Sequence, residues 1–250
     1  LRYFIEFSYF GKNYFGWQRQ PAATSVQETL EHCISTLLKV EAPITGAGRT
    51  DTGVHARQMF AHFDVEIPIS TQNFVQRLNA FLPNDIAVQS VFEVTAGAHA
   101  RFDASARTYE YWVVQDKNPF LTDFAYHFHR DLDMEAMNEA AQLLLDFDDF
   151  QCFSKSGTDV KTFKCKLFFA EWKAQSDKLV FTITADRFLR NMVRAIVGTL
   201  LDVGIGKISK EDVKNIIQSK NRSEAGHSVP AHGLYLTSVE YPPQIFKNHE

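Results

Sequence analysis

The sequence predicts an α+β protein in which helices pack on a mixed or antiparallel sheet. Segments of alternating apolar and polar residues are interspersed with segments whose apolar residues recur at helical spacing. Two strand-like segments, 163–174 and 178–185, are separated by three turn-forming residues, which predicts an antiparallel hairpin. Hairpins mixed with helices are typical of α+β layers. No repeat is visible at the level of single residues.

The first hundred residues contain four predicted strands and two predicted helices. The strands are predicted at 1–10, 40–45, 58–65 and 86–94. Ser25 is the predicted N-cap of the first helix, and Glu28 stands three residues later, as in a capping box. The second helix is predicted at 70–80 and is followed by a turn at 83–85.

The remaining residues contain four further predicted strands and three further helices. The strands are predicted at 109–115, 163–174, 178–185 and 233–240. One helix is predicted from a cap at Asp133 to about Leu145, and the others at 190–203 and 210–218. We place the boundary between two domains near residue 100, which predicts an N-terminal domain at 1–100 and a C-terminal domain at 101–250.

Composition and charge limit the class of protein. A chain of 250 residues that is 45% hydrophobic and 22% charged is typical of one or two globular domains. It has no apolar run long enough for a transmembrane helix, and its three scattered cysteines predict reduced, buried thiols in a cytoplasmic protein. The net charge is −4, yet residues 155–194 contain nine Lys or Arg and four Asp or Glu. A basic face on an acidic body suits a protein that contacts RNA with one surface.

Residues 46–56 combine glycines, a cation, a carboxylate and a histidine in one loop between two predicted strands. Glycines allow the backbone to turn tightly and to approach a ligand closely. Because Asp51 lies two residues after Arg49, its carboxylate would be held ionised and could act as a nucleophile or base. The same residues would also form a tight turn in which Asp51 accepts from nearby N–H groups, so the pattern alone leaves both interpretations open.

The chain resembles the tRNA pseudouridine synthase A family over nearly its whole length. The resemblance is carried by FSYFGKNYFGWQRQP, SVQETLE, GRTDTGVHA, ARTYEYWV, FLRNMVRAIVGTLLDVG and HGLYLTSVEYP, in this order. It implies two similar α/β halves around a central, largely antiparallel sheet, with a basic cleft between them. It also implies a homodimer that holds tRNA and converts uridine to pseudouridine at positions 38 to 40 of the anticodon stem-loop. No cofactor is implied.

The resemblance also implies roles for individual residues. Asp51 matches the catalytic aspartate, and Arg194 matches the arginine that pairs with it. Tyr109 matches the tyrosine that stacks on the target uracil. Arg49 matches the arginine that fills the space left by the flipped base. Leu189 stands where a hydrophobic residue lines the base pocket.

A second group of basic residues is predicted to bind RNA. Lys155, Lys161 and Lys164 precede an aromatic pair, and interleaved lysines and aromatic rings are typical of RNA-binding surfaces. Arg187 and Arg190 are interpreted as phosphate contacts or as solvated charges. The alternative for the lysine-rich segment is a hairpin with one wet and one buried face.

Other chemistries find less support in the sequence. His127 and His129 would share one strand face, but no third ligand is evident, so no metal site is predicted. Two alternative functions are a non-catalytic RNA-binding module and a hydrolase that uses Asp51 with His55. The first lacks the aromatic signature of RNA-recognition sheets. Product mass separates the hydrolase from the other two, because isomerisation and binding both leave the mass of the RNA unchanged and hydrolysis does not.

Overall fold

The computed structural model describes residues 1–157 and 160–247, which fall into two compact units. The first unit comprises Leu1–Ala106 and the residues from Tyr235 onward, and the second comprises Arg107–Leu234. In chain order the elements are β1 (Arg2–Tyr9), α1 (Val26–Leu38), β2 (Thr45–Gly46), β3 (His55–Asp64), α2 (Thr71–Phe81), β4 (Ile86–Val94), β5 (Ala106–Val114), β6 (Tyr126–His127), α3 (Met134–Leu143), β7 (Leu167–Gln175), β8 (Lys178–Ala185), α4 (Met192–Gly204), α5 (Lys210–Ser219) and β9 (Leu234–Glu240).

In the first unit, β1 is the central strand of an antiparallel ladder in the order β4-β1-β3. The short β2 pairs antiparallel with β3, and β9 pairs parallel with the start of β3 at His55 and Ala56. Both faces of β1 are buried, because Phe4 packs against the rings of Phe60, Phe92 and Tyr241 while its neighbours face the other side. The predicted alternation on β1 is therefore replaced by burial of nearly every apolar residue.

In the second unit, β8 is the central strand of the antiparallel order β5-β8-β7, and β6 pairs parallel with β5. The predicted hairpin is confirmed, with Ser176 in the left-handed conformation at its turn. β7 begins at Leu167 rather than at residue 163, because the preceding residues pair elsewhere. Lys164 forms an isolated antiparallel β-bridge with Asp149, and Cys165 N donates to Asp148 O. Both units mix long antiparallel ladders with short parallel pairs and helices, which confirms the α+β class.

In each unit, an asparagine side chain on a helix forms hydrogen bonds with the backbone of an outer strand. On α2, the side-chain amide of Asn79 donates to Val88 O and accepts from Val88 N, each at 2.7 Å. On α3, Asn138 makes the same pair of bonds to the backbone of Trp172 on β7, at 3.1 and 2.7 Å. The amide thus satisfies one donor and one acceptor that an edge strand would otherwise present to solvent.

Most predicted helix starts are confirmed. The side chains of Ser25 and Asp133 accept from the backbone N–H three residues later, as N-caps do. The α4 helix begins at Met192 and not at residue 190, because Asn191 adopts the left-handed conformation. Within the described residues, no helix is both long enough and apolar enough to cross a membrane.

The predicted strand at 40–45 is wrong except for its last residue. Lys39 ends α1 in the left-handed conformation, and the chain then runs back along that helix. Ser35 Oγ accepts from Ala42 N at 3.0 Å, and a Glu31 carboxylate oxygen accepts from Ile44 N at 3.0 Å. Because helix side chains bind these backbone groups, they do not join a strand ladder.

Candidate active site

Asp51 lies in the connection from β2 to β3, here called the Asp51 loop and counted from Gly46, the last residue of β2, to residue 54. Its side chain is half-buried, whereas Arg49 is exposed and Thr50 is buried. The turn after Asp51 closes through the backbone, because Val54 N donates to Asp51 O at 3.1 Å. Gly53 allows this turn with a φ of 78°. The tight turn is therefore closed by the main chain of Asp51.

The residues that follow β1 hold this loop in place. Tyr9 and the residues up to Trp17, here called the cradle segment (residues 9–17), run alongside it. Trp17 N donates to Thr50 O at 3.1 Å, and the hydroxyls of Tyr9 and Thr50 are 2.7 Å apart. Farther along the loop, Gly53 N donates to Tyr14 O at 3.4 Å. Three points of the Asp51 loop are thus bound to one neighbouring segment.

Two glycines of the cradle segment permit this close approach. A Cβ at Gly11 would lie 2.0 Å from Val54 O. Gly16 has a φ of 86°, and a Cβ there would lie 2.5 Å from Thr50 O and 3.1 Å from the carbonyl carbon of Asp51. From the sequence alone, this segment carries part of the resemblance and ends the first predicted strand, with no functional role assigned to it. The two glycines after a strand were the signal that could have indicated a close backbone approach.

His55 is buried beside the loop and has a structural partner. Its Nδ1 accepts from Gly11 N at 2.9 Å, and its ring stacks on Phe10 with centroids 4.4 Å apart. Only 1% of His55 is exposed. One ring nitrogen is thus engaged as the acceptor of a buried backbone N–H, which weakens the interpretation of His55 as a general base partnered with Asp51.

Tyr109 lies in the second unit, on β5 opposite Ile183 of β8. It is half-buried, and its ring meets Phe188 edge to face with centroids 5.1 Å apart. Tyr111 shares its strand face but is fully buried, and its hydroxyl donates to Pro230 O at 2.7 Å. Burial raises the pKa of Tyr111 far above its usual value. Of the two tyrosines, Tyr109 therefore retains an accessible aromatic surface.

Arg194 lies in the first turn of α4 and is half-buried. Its Nε donates to Val229 O at 2.7 Å, and Val229 N donates to Arg194 O at 3.2 Å. The guanidinium is thus oriented by the backbone carbonyl of Val229. Leu189, just before α4, is 5% exposed, and its carbonyl accepts from Met192 N at 3.1 Å. Leu189 and the partner of Tyr109, Phe188, are consecutive residues.

Arg49, predicted to contact RNA, lies in the first unit, and the other predicted RNA-binding cations lie in the second unit. Those that are exposed are Lys155, Lys161, Lys164 and Arg190, whereas Arg187 is half-buried. Lys155 N donates to Arg190 O at 3.0 Å, which brings two of these residues together. Lys164 differs, because its ammonium lies 2.9 Å from a carboxylate oxygen of Asp148. That hydrogen bond and the charge of Asp148 raise the pKa of Lys164.

Thiol and metal chemistry have little basis in this structure. Cys33, Cys152 and Cys165 are free and buried, and burial raises the pKa of Cys152 and of Cys165 to about 12. Thiols of such high pKa are poor nucleophiles. Across residues 1–157 and 160–247, no three His, Cys, Asp or Glu side chains are grouped so that they could hold a metal ion. The rings of His127 and His129 are 6.4 Å apart.

Comparison with known proteins yields one family and several relatives. The model of the tRNA pseudouridine synthase family matches residues 6–103 and 140–242. The tRNA pseudouridine synthase A of Parabacteroides distasonis is 52% identical over 246 residues, covering 98% of each chain. The protein of the same name from Bacteroides fragilis is 51% identical and also covers 98% of each. That of Bacillus subtilis is 42% identical over 94% of this chain and 96% of its own.

These matches include nearly all of the candidate residues. Arg49 and Asp51 lie in the first matched block of the family model, and Leu189 and Arg194 lie in the second. Tyr109 falls between the two blocks, so its correspondence depends on the relatives that match over 98% of the chain.

Proposed function

The chain belongs to the tRNA pseudouridine synthase family and is an isomerase that acts on uridine in tRNA; from this premise we propose that Asp51 is its catalytic carboxylate. The observation that carries the proposal is the half-buried Asp51 in a loop held at three points by the cradle segment. A catalytic group must be kept close to its productive geometry, and such a loop provides that restraint.

The reaction rearranges bonds within one nucleotide. The glycosidic bond between N1 and C1′ breaks, the base turns, and a new bond forms between C5 and C1′. The proton on C5 leaves, and N1 gains one, so no net oxidation, reduction or hydrolysis takes place. We therefore propose that the chain works without a cofactor. The ionised Asp51 carboxylate adds either to C1′ of the ribose or to C6 of the uracil, and both routes are compatible with the proposal.

The target base must leave its helical stack to reach Asp51. Extruding a nucleotide costs a few kcal/mol, and a protein offsets this cost by stacking an aromatic ring on the base, about 1–3 kcal/mol. Tyr109 is proposed to supply that ring, because it remains half-exposed while Phe188 supports it from the edge. Arg49, exposed two residues before Asp51, is proposed to occupy the space that the base leaves. Leu189 is proposed to line the base pocket.

Arg194 is proposed to pair with the Asp51 carboxylate. A guanidinium offers five N–H donors in a rigid fork, of which the Nε–H binds Val229 O at 2.7 Å. The proposal assigns terminal N–H groups to Asp51, which would keep the carboxylate ionised and oriented in a pocket from which water is excluded. The exposed cations Lys155, Lys161 and Arg190, with Lys164 and Arg187, are proposed to contact phosphates.

Three finer statements belong to the same proposal. The substrate uridines are those at positions 38 to 40 of the anticodon stem-loop, and two copies of the chain form a homodimer that binds tRNA in a basic cleft. As an enzyme of tRNA modification, the chain is proposed to work in the cytoplasm. All three follow from the resemblance of the motifs around Asp51, Tyr109 and Arg194 to the family.

Tritium release from tRNA that carries 5-tritiated uridine tests the proposal directly, because the C5 proton leaves only if the base is isomerised. We expect release with the wild type and none with Asp51→Asn, which keeps the shape of the side chain but removes its charge. Asp116→Asn, in an exposed loop after β5, is the matched control and should retain activity. Binding of tRNA by all three proteins without release by the wild type would instead indicate a non-catalytic RNA-binding module.

The position of the modified uridine is tested with transcripts that keep a single uridine at 38, 39 or 40. Release from each of them, and none from a transcript that lacks all three, is the expected result. Release from the last transcript would refute the proposed positions while leaving the chemistry intact.

A further inference from the structure

We propose that Tyr9 is a positioning residue for Asp51, which it orients through the side chain of Thr50. The inference rests on the proposed function of Asp51 and adds the means by which its carboxylate is held in place. Tyr9 is the last residue of β1 and is 4% exposed, so it does not meet the RNA itself. Its influence on catalysis must therefore pass through its neighbours.

Thr50 is fixed at both its side chain and its main chain. Its hydroxyl lies 2.7 Å from the Tyr9 hydroxyl, and its carbonyl accepts from Trp17 N at 3.1 Å. It is 9% exposed. Because the carbonyl of Thr50 belongs to the peptide unit that enters Asp51, these two bonds set the position of the Asp51 Cα and the direction of its side chain. A loop bound only at its ends would leave both free to vary.

Aromatic packing makes Tyr9 and Trp17 a rigid support. The ring of Phe7 stacks on both, with centroids 6.1 Å from Tyr9 and 5.5 Å from Trp17. The indole of Trp17 also lies against Gly46 at the start of the Asp51 loop, where a Cβ would meet the ring at 2.5 Å. The groups that bind Thr50 therefore belong to a packed cluster and cannot follow movements of the loop.

A pair of buried hydroxyls is an inefficient way to stabilise a fold. One buried hydrogen bond contributes little net stability, and replacing both partners by apolar groups of the same shape is nearly neutral. Phenylalanine and valine are such replacements for Tyr9 and Thr50. What the hydroxyl pair adds is direction, because a hydrogen bond restricts distance and angle where an apolar contact does not.

The test compares Tyr9→Phe, Thr50→Val, Thr50→Ser and the double variant Tyr9→Phe/Thr50→Val in the tritium-release assay with saturating and limiting tRNA. Misplacing a reacting group by about 1 Å can cost roughly 100-fold in rate. We expect kcat to fall by about tenfold in Tyr9→Phe and in Thr50→Val, with KM unchanged. The double variant should be no slower than either single variant, because the same bond is lost. Thr50→Ser keeps the hydroxyl and should retain the wild-type kcat.

Tyr3→Phe is the matched control. Tyr3 lies on the same strand, is 3% exposed, and its hydroxyl accepts from Ile69 N at 3.4 Å, away from the Asp51 loop. It should lose as much thermal stability as Tyr9→Phe but keep the wild-type kcat. The inference is overturned if Tyr9→Phe and Thr50→Val retain the wild-type kcat, or if Tyr3→Phe is slowed equally. An inactive wild type, or an active Asp51→Asn, would refute the proposed function instead, so the two failures are distinguishable.

Discussion

At Gly16 a single hydrogen atom in place of a side chain allows the cradle segment to touch the Asp51 loop. Its φ of 86° is unfavourable for other residues, and a Cβ would lie 2.5 Å from Thr50 O. We expect Gly16→Ala to lower the free energy of unfolding by at least about 2 kcal/mol, from the left-handed backbone and the overpacking together. Urea denaturation measures this change, and tritium release should fall with it because the Thr50 carbonyl is displaced.

Gly97→Ala serves as the control for Gly16→Ala. No atom lies within 4 Å of the position that its Cβ would take, and its φ is not in the left-handed region. It should leave both unfolding and tritium release close to those of the wild type. If Gly16→Ala behaved like Gly97→Ala, the close contact between the cradle segment and Thr50 would be wrong.

At the site, the sequence offered a functional interpretation for some single residues but not for others. The motif around Asp51 made a functional loop one of two open interpretations, because a carboxylate, a cation and glycines within a few residues are visible in the sequence itself. Tyr9 has no such signature, since it is one of several aromatic residues on a predicted strand. Its contact with Thr50 joins residues 41 positions apart and became visible only when β1 and the loop were in place.

At the scale of elements, the bonds from Asn79 and Asn138 to outer strands should stabilise both units in the same way. We expect Asn79→Ala and Asn138→Ala each to lower the free energy of unfolding by about 1–3 kcal/mol, because each leaves a backbone N–H and a C=O without its partner. Urea denaturation is the measurement. Asn73→Ala, on the exposed side of α2, should be neutral or slightly stabilising, because alanine favours helix.

An equal loss of unfolding free energy in Asn73→Ala would show that asparagine is needed on α2 for another reason.

Periodicity predicted α2 and α3 well, since their apolar stripes are local patterns. It could not identify the two asparagines, because their role depends on which strand stands opposite. The predicted strand at 40–45 failed for a related reason: the side chains of Ser35 and Glu31 bind backbone groups that a local pattern assigns to a ladder.

The turn at residues 98–103 packs on β3 and makes folding depend on pH. His62 is 7% exposed, and its Nδ1 accepts from Ala100 N at 3.1 Å. Burial, together with the charges of Arg2 and His99, lowers the pKa of His62 to about 4, against the opposing effect of Asp64 and Asp103. The unfolded chain therefore binds a proton below about pH 6.5 that the folded chain binds only near pH 4.

Stability from His62 is accordingly present above pH 6.5 and is lost as the pH falls towards 4. The slope of the free energy of unfolding against pH approaches the value for the uptake of one proton, which is about 1.4 kcal/mol per pH unit. Urea denaturation at pH 7 and pH 5 measures the free energy of unfolding of the wild type and of His62→Asn. The difference between the two proteins should be smaller at pH 5 than at pH 7. The asparagine keeps an acceptor for Ala100 N but does not titrate. A difference that is the same at both pH values would contradict the lowered pKa of His62.

At the scale of the whole molecule, chain connectivity limits prediction from local patterns. The start of β3 at His55 was missed by three residues, because its first residues pair with Tyr235 and Leu236 of β9, near the other end of the chain. No window of neighbouring residues contains that pairing. The same parallel contact joins the residues from Tyr235 onward to the first unit. The class of the fold could be predicted because antiparallel hairpins and helices leave local signals in both units.

The distribution of charge over the whole molecule determines how strongly it binds a polyanion such as tRNA. The chain carries a net charge of −4, so attraction to tRNA requires a local excess of cations, which the proposed function places at residues 155–194 and which must overcome repulsion by the rest. Within those residues, Lys164 is held 2.9 Å from Asp148. An exposed ion pair is weak, so RNA could displace Asp148, but at some loss of affinity. Asp148 therefore acts as a competitor for the phosphate that Lys164 is proposed to bind.

Removal of that competitor should strengthen binding. We expect Asp148→Asn to bind tRNA several-fold more tightly than the wild type and to show a steeper decrease of affinity with salt. Lys161→Gln should reduce the slope of log affinity against log salt by about 0.7–0.9, the value for one phosphate contact. Glu211→Gln is the charge-matched control, because it frees Lys214 from a similar exposed pair on α5, outside the basic segment. If Glu211→Gln raised the affinity as much as Asp148→Asn does, net charge alone would account for the effect and Lys164 would have no part in binding.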